Sequence, residues 1–297
     1  MQPLSRRSFL AAGAGALVVA ACSDNKGGTA VSSSSPPSGS SDSGQFNLIT
    51  FTDTSALVPG SPQRITFGVA DHEGVFIDDV PDTLNFDIAL QGSAAVTLPA
   101  VTATKHNTGL PKPYFPIEFT PPTDGVYTVL SSVRGTPVQL SVQIPPSTSV
   151  IGPGQPMVPV DTPTTADAKG VQLLCTRTPA CPLHDITLRE ALALGQPVAF
   201  LVATPQFCQT AICGPVLDVL LSQKDQFPQI KMLHAEVYPS EADAQPGKQK
   251  VTEAVSAYHL TFEPVLYLAR PDGTIMKRVD TIFDGVELQE ALTQLVS

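Results

Sequence analysis

The apolar pattern of this chain changes period part-way along, and the change falls on a proline-rich stretch. Before that stretch, apolar residues come in short alternating runs: QRITFGVAD (63–71), LNFDIALQ (84–91), FPIEFT (115–120), VYTVLSSV (126–133) and VQLSVQI (138–144). Turn residues separate them, at 71–74, 121–125 and 134–137. Alternation places every second side chain on one face, so each run reads as a half-buried strand. Short strands at regular spacing predict an all-β sandwich over 46–145. His72 and His106 fall near turns and read as solvated loop positions.

After the stretch, the pattern alternates between strand and helix. GVQLL (170–174) reads as a strand, ITLREALALG (186–195) as a short helix closed by glycine, and PVAFLVA (197–203) as a strand buried on both faces. GPVLDVLLSQK (214–224) carries Val216, Leu217, Leu220 and Leu221 at helical spacing. A strand (230–237), a helix (248–260), a hairpin about Pro271-Asp272-Gly273 (264–282) and a last helix (284–296) follow. Asp284 and Glu287 are placed to cap that last helix. The order predicts an α/β domain over 169–297. The stretch between, 146–168, is expected to be an extended, semi-rigid linker marking the domain boundary, because proline fixes φ and removes donors.

The N-terminus carries Arg6-Arg7, then an apolar run from Phe9 to Ala21. That run is shorter than the roughly 20 residues needed to span a bilayer, so it reads as an export leader over 1–21. The twin arginines resemble a Tat signal, and Val19-Ala20-Ala21-Cys22 resembles a bacterial lipobox. The resemblance implies that Cys22 is lipidated, which anchors the protein by its acyl chains on the extracytoplasmic face of the plasma membrane. Residues 22–45 are rich in Ser, Gly, Asp and Pro and read as a disordered tether. The 27 acidic residues outnumber the 17 basic ones, so the surface repels nucleic acid and anionic headgroups. No nucleic-acid partner is expected, and attachment must come from lipid.

Of five cysteines, Cys175, Cys181, Cys208 and Cys213 remain for the folded part. An even number in an oxidising compartment favours disulfides, though spacing does not choose the pairing. Cys175 and Cys181, in CTRTPACPLHD, read as a local structural disulfide, with a cross pairing such as Cys181 to Cys208 left open.

The hairpin PPTDGVYTVLSSVRGTPVQLSVQI (121–144) resembles the last hairpin of immunoglobulin-like bacterial modules in architecture, without a Cys-Trp-Cys hallmark. The second half, 170–297, resembles the thioredoxin fold. A cysteine motif lies between an apolar strand and a helix start, Gly214-Pro215 follows Cys213, and Pro264 opens the strand after the third helix. In that family a cis-proline at the last place faces the active cysteine, so the resemblance implies a cis Glu263–Pro264 bond shaping a substrate groove. The family's second cysteine would fall at Val216, so the pair here is Cys-x4-Cys and not Cys-x2-Cys.

The resemblance implies a thiol–disulfide oxidoreductase acting on thiols or disulfides of exported proteins, with no cofactor and no metal. Strand-to-cysteine spacing favours Cys208 as nucleophile, whereas the Gly-Pro that follows favours Cys213. A thiolate at a helix N-terminus is stabilised by the macrodipole and free amides, so Cys213 is expected to attack and Cys208 to resolve. Two other readings stand beside it. One is a redox-inert scaffold in which Cys208–Cys213 is a permanent staple and the sandwich binds an envelope partner. The other is a copper carrier similar to Sco proteins, for which His184, His234 and His259 are the available imidazoles of this half and none falls near Val265, where that family places its histidine.

Overall fold

Among the described residues of the first half, seven strands form, five of them on the alternating runs: β1 (Phe46–Thr50), β2 (Gln63–Asp71), β3 (Thr83–Leu90), β4 (Thr97–Thr104), β5 (Phe115–Phe119), β6 (Gly125–Val133) and β7 (Thr136–Ile144). The computed structural model describes residues 46–93, 97–208 and 211–297. The expected leader, Cys22 and the tether lie outside the described residues. Two antiparallel sheets form, ordered β1-β2-β5 and β4-β3-β6-β7. Their inner faces make one core, with Ile65, Phe67 and Ile117 of the first sheet buried against Phe86, Ile88 and Val129 of the second. The Phe67 and Phe86 rings stack across it at 5.1 Å. This is a β-sandwich. The β6–β7 hairpin turns on Arg134 (φ 51°) and Gly135 (φ 84°), the paired left-handed residues that match strand twist in a two-residue turn.

The second half contains α1 (Leu188–Ala193), β8 (Val198–Val202), α2 (Cys213–Gln223), β9 (Lys231–Ala235), α3 (Glu253–Ala257), β10 (Val265–Ala269), β11 (Ile275–Asp280) and α4 (Gly285–Val296). Its sheet runs β11-β10-β8-β9, with β8 and β9 parallel and β10 antiparallel to both β8 and β11. Every residue of β8 and β10 is buried. The reason is that the sheet is covered on both faces. Leu201 and Leu266 face α2 and α4, while Phe200 and Tyr267 face a second core containing Leu188 and Tyr258.

Residues 170–174 form no strand. Gln172 makes one ladder-like bond, its amide to the Pro239 carbonyl at 2.8 Å, and Leu173 is exposed. The helix expected over 248–260 is confined to Glu253–Ala257.

The proline-rich stretch is not a spacer between separate bodies. Val150, Met157 and Val160 are buried in the second core. The Tyr267 and Tyr258 hydroxyls donate to the Ile151 and Val158 carbonyls at 3.1 and 3.0 Å. Sandwich and α/β layer therefore form one compact unit. A buried polar joint fixes them together. Arg64 of β2 forks onto Glu287 of α4, Nη2 to Oε2 at 2.7 Å, and also donates to the Ile282 carbonyl at 2.6 Å. Burial acts to raise the Glu287 carboxyl, and the charge and hydrogen bonds of Arg64 override it, holding it below its usual range. The Tyr114 hydroxyl donates to the same carboxylate at 2.6 Å. Asp284 caps α4, as expected, by accepting from the Glu287 amide at 2.9 Å. His106 is not solvated: its ring meets Asp284 at 2.9 Å, half-buried in this joint.

Candidate functional site

Between β8 and α2 the described residues are 203–208 and 211–212. Ala211 sits in the left-handed region (φ 56°), a conformation that costs an L-residue about 1–2 kcal/mol. The Ala211 amide donates to the Cys208 carbonyl at 3.4 Å, and Cys208 lies at the start of the helix. Ile212, at the N-cap, provides no side-chain cap. A sulfur supplies one instead: the Cys213 amide donates to Sγ of Cys208 at 3.4 Å. Cys208 thus occupies the positive end of α2, where amides and the helix dipole stabilise a thiolate.

Cys213 is 0% exposed. Burial, then its hydrogen bond with Cys208, pushes its thiol well above the ordinary range. The sequence places Cys213 as the attacking thiol; in the fold it is the more deeply buried of the two. Cys208 is half-buried and reachable, and Cys213 lies inside the core. The reason is visible in the helix: Cys213, Val216, Leu217 and Leu220 fall at i, i+3, i+4 and i+7, so the cysteine belongs to the inward stripe.

A third group joins the pair. A Glu263 carboxylate oxygen and the two sulfurs all lie within 4.8 Å of one another. Burial, then the neighbouring Cys208, raises the Glu263 carboxyl above its usual range. Pro264 follows, buried at the start of β10, and the Glu263–Pro264 peptide is cis. A shallow groove of about 380 Å³, lined in part by Tyr238, Val251, Phe262 and Glu263, reaches this carboxylate. With a carboxylate as third donor and no imidazole, the cluster is a poor match for Cu(I), which prefers soft ligands. His259 is exposed on the turn after α3, and His184 and His234 lie elsewhere.

No disulfide is present among the described residues. The Cys175–Cys181 bridge expected from the sequence is not formed. Each of these sulfurs faces imidazole nitrogens instead, those of His184 and His234. No metal was expected in the chain, yet four potential ligands meet here. The signal that marks them is the Cys181-x2-His184 spacing, a metal-ligand interval, together with a lone polar His234 inside the apolar run of β9. In the thiol pair, Cys175 is held low by its hydrogen bond with Cys181, and that same bond holds Cys181 high.

No protein-family model matches the chain, and no curated protein matches it. Among solved structures, superoxide reductase (neelaredoxin) from Ignicoccus hospitalis is similar over 33% of this chain and 77% of its own, at 12% identity and a TM-score of 0.22. The filamin domain of Lin-41 is similar over 35% of this chain and 96% of its own, at 16% identity and a TM-score of 0.22. The sulfur carrier protein SoxY from Chlorobium limicola f thiosulfatophilum is similar over 34% and 73%, at 9% identity and a TM-score of 0.19. Likenesses this slight carry no functional argument.

Proposed function

We propose that the chain is a lipid-anchored, extracytoplasmic thiol–disulfide oxidoreductase, an immunoglobulin-like sandwich joined to a thioredoxin-like domain. The observation that carries this reading is the Cys213 amide bonded to Sγ of Cys208 at the start of α2, with the buried Cys213 thiol beside it. The sheet order β11-β10-β8-β9, with β10 antiparallel to β8, supports the domain assignment. So does the Tyr127 hydroxyl bond to the Thr123 carbonyl (2.8 Å) for the sandwich. The anchor rests on Arg6-Arg7 and on Val19-Ala20-Ala21-Cys22. Among the described residues no helix is long and apolar enough to cross a membrane.

In this mechanism the Cys208 thiolate attacks one sulfur of a substrate disulfide. A Cys208–substrate bond forms, the substrate S–S bond breaks, and the second substrate sulfur leaves as a thiolate. Cys213 then loses its proton to Glu263, the carboxylate beside it, and attacks Sγ of Cys208. A Cys208–Cys213 disulfide forms and the first substrate sulfur departs, so the substrate gains two electrons and the pair loses two. The same steps run backwards when the pair oxidises a dithiol. The groove at Tyr238 and Phe262 holds the flanking chain of the substrate.

Titration against glutathione buffers, with mass spectrometry of the modified cysteines, tests the reading. A Cys208–Cys213 couple that opens well above about −300 mV is the predicted result, and one that stays closed below it identifies a permanent staple.

A further inference from the structure

Four donor atoms outside the dithiol site converge in the core beside β9. Sγ of Cys181 lies 3.2 Å from Nε2 of His184 and 3.5 Å from Nδ1 of His234. Sγ of Cys175 lies 3.8 Å from the same Nδ1, and the two ring nitrogens are 3.3 Å apart. All four atoms fall within 4.8 Å of one another, and three of the four residues are buried. A tetrahedral zinc at ordinary bond lengths sets its ligands about 3.3 Å apart for N···N, about 3.6 Å for S···N and about 3.8 Å for S···S. The observed N···N separation matches its value, and the three S···N separations, 3.2, 3.5 and 3.8 Å, bracket the value for S···N.

The surroundings suit a cation more than a disulfide. Nε2 of His234 meets the Ala203 carbonyl at 3.1 Å, so it carries the ring proton and Nδ1 turns its lone pair into the cluster. Such an outer hydrogen bond is what orients metal-bound imidazoles. The Cys181 amide donates to Sγ of Cys175 at 3.3 Å, a bond that supports a thiolate. A Cys175–Cys181 bridge would leave two buried imidazoles facing each other without a function, His234 among the apolar Met232, Leu233 and Ala235.

We infer that Cys175, Cys181, His184 and His234 bind one Zn²⁺ ion as a closed structural site. Both thiols give up their protons to solvent on binding, so two thiolates neutralise the dication and the centre can stay buried. Four protein ligands leave no open position for water or substrate. The site keeps Cys175 and Cys181 out of exchange with Cys208 and Cys213. It also braces the dithiol loop, because Oγ1 of Thr176, next to Cys175, accepts from the amide of Gln206 at 3.1 Å. The zinc site does not depend on the redox reading.

The test is the full chain purified in detergent without chelator, assayed for metal by elemental mass spectrometry and for thiol protection by alkylation. One zinc per chain is expected, with Cys175 and Cys181 shielded until a chelator is added. Co²⁺ exchanged into the wild-type protein should show thiolate-to-cobalt charge transfer and the visible bands of a tetrahedral ion. Cys181→Ser and His234→Gln should weaken zinc binding by more than the roughly 10–100-fold that outer-shell losses cost, while Cys208→Ser keeps the metal. The cobalt spectrum and thiol protection are read on the wild-type chain, so they stand even where a variant misfolds. A Cys175–Cys181 disulfide in the isolated protein, zinc retained by Cys181→Ser, or Cu(I) bound where zinc is not, would each overturn the inference.

Discussion

The amide of Cys213 donates to the sulfur of Cys208, so a thiol five residues upstream caps the helix that carries its partner. In the proposed exchange this bond assigns attack to Cys208 and resolution to Cys213. The reachable sulfur sits at the positive end of α2, and the partner sulfur lies behind it in the core.

Glu263 is predicted to be the proton acceptor for the buried thiol. Its carboxyl is raised in the folded protein, so the folded state holds the proton more tightly than the unfolded state. Such a group favours the unfolded state as pH rises past the ordinary carboxyl value of 4.5. Glu263→Gln should therefore stabilise the protein at pH 8 and leave stability nearly unchanged at pH 4, while slowing release of substrate from the mixed disulfide. Urea unfolding at the two pH values, paired with single-turnover exchange, checks both effects. A variant less stable at pH 8 would refute the assignment.

Arg64 and Glu287 join the sandwich to α4 with little solvent between them. Breaking a buried pair by removing one partner costs about 3–5 kcal/mol, because the other charge is left uncompensated. Arg64→Met should lose about that much, and the double variant Arg64→Met/Glu287→Met should recover a large part of it. Chemical denaturation of the wild type, Arg64→Met, Glu287→Met and the double variant gives the coupling. Equal losses in the single and double variants would show that the joint is not an ion pair in energetic terms.

His106 carries a pH signature. Its hydrogen bond with Asp284 raises its pKa above the ordinary imidazole value of 6.5, and this outweighs burial. A raised histidine contributes stability that is fully present below pH 6.5 and is lost as pH climbs through the folded value. His106→Asn should therefore cost more at pH 5.5 than at pH 8.5, seen as a larger shift in unfolding midpoint. A cost independent of pH would mean the imidazole is neutral throughout.

The sandwich strands were legible where one face is buried: Leu84, Phe86 and Ile88 alternate along β3 with exposed neighbours. The edge strand β4 was not, since only Ala103 is buried in it and Pro99 interrupts the pattern. The strand expected at 170–174 failed for the opposite reason, its apolar residues being largely outside the core. The Cys208–Cys213 pair was legible beside Gly214-Pro215, but the deep burial of Cys213 was not read, although Cys213 shares the stripe of Val216 and Leu220. His234 could not be tied to Cys175 from sequence, because only the fold brings β9 beside that loop. The proline-rich stretch misled because proline reports local stiffness and says nothing of the core it packs into.

The most direct measurement is a trapping experiment with an oxidised protein substrate, comparing Cys208→Ser with Cys213→Ser. The account predicts that Cys213→Ser accumulates a mixed disulfide through Cys208, while Cys208→Ser forms no adduct and loses exchange. An adduct on Cys213 in the Cys208→Ser variant, or exchange that survives the loss of Cys208, would contradict it.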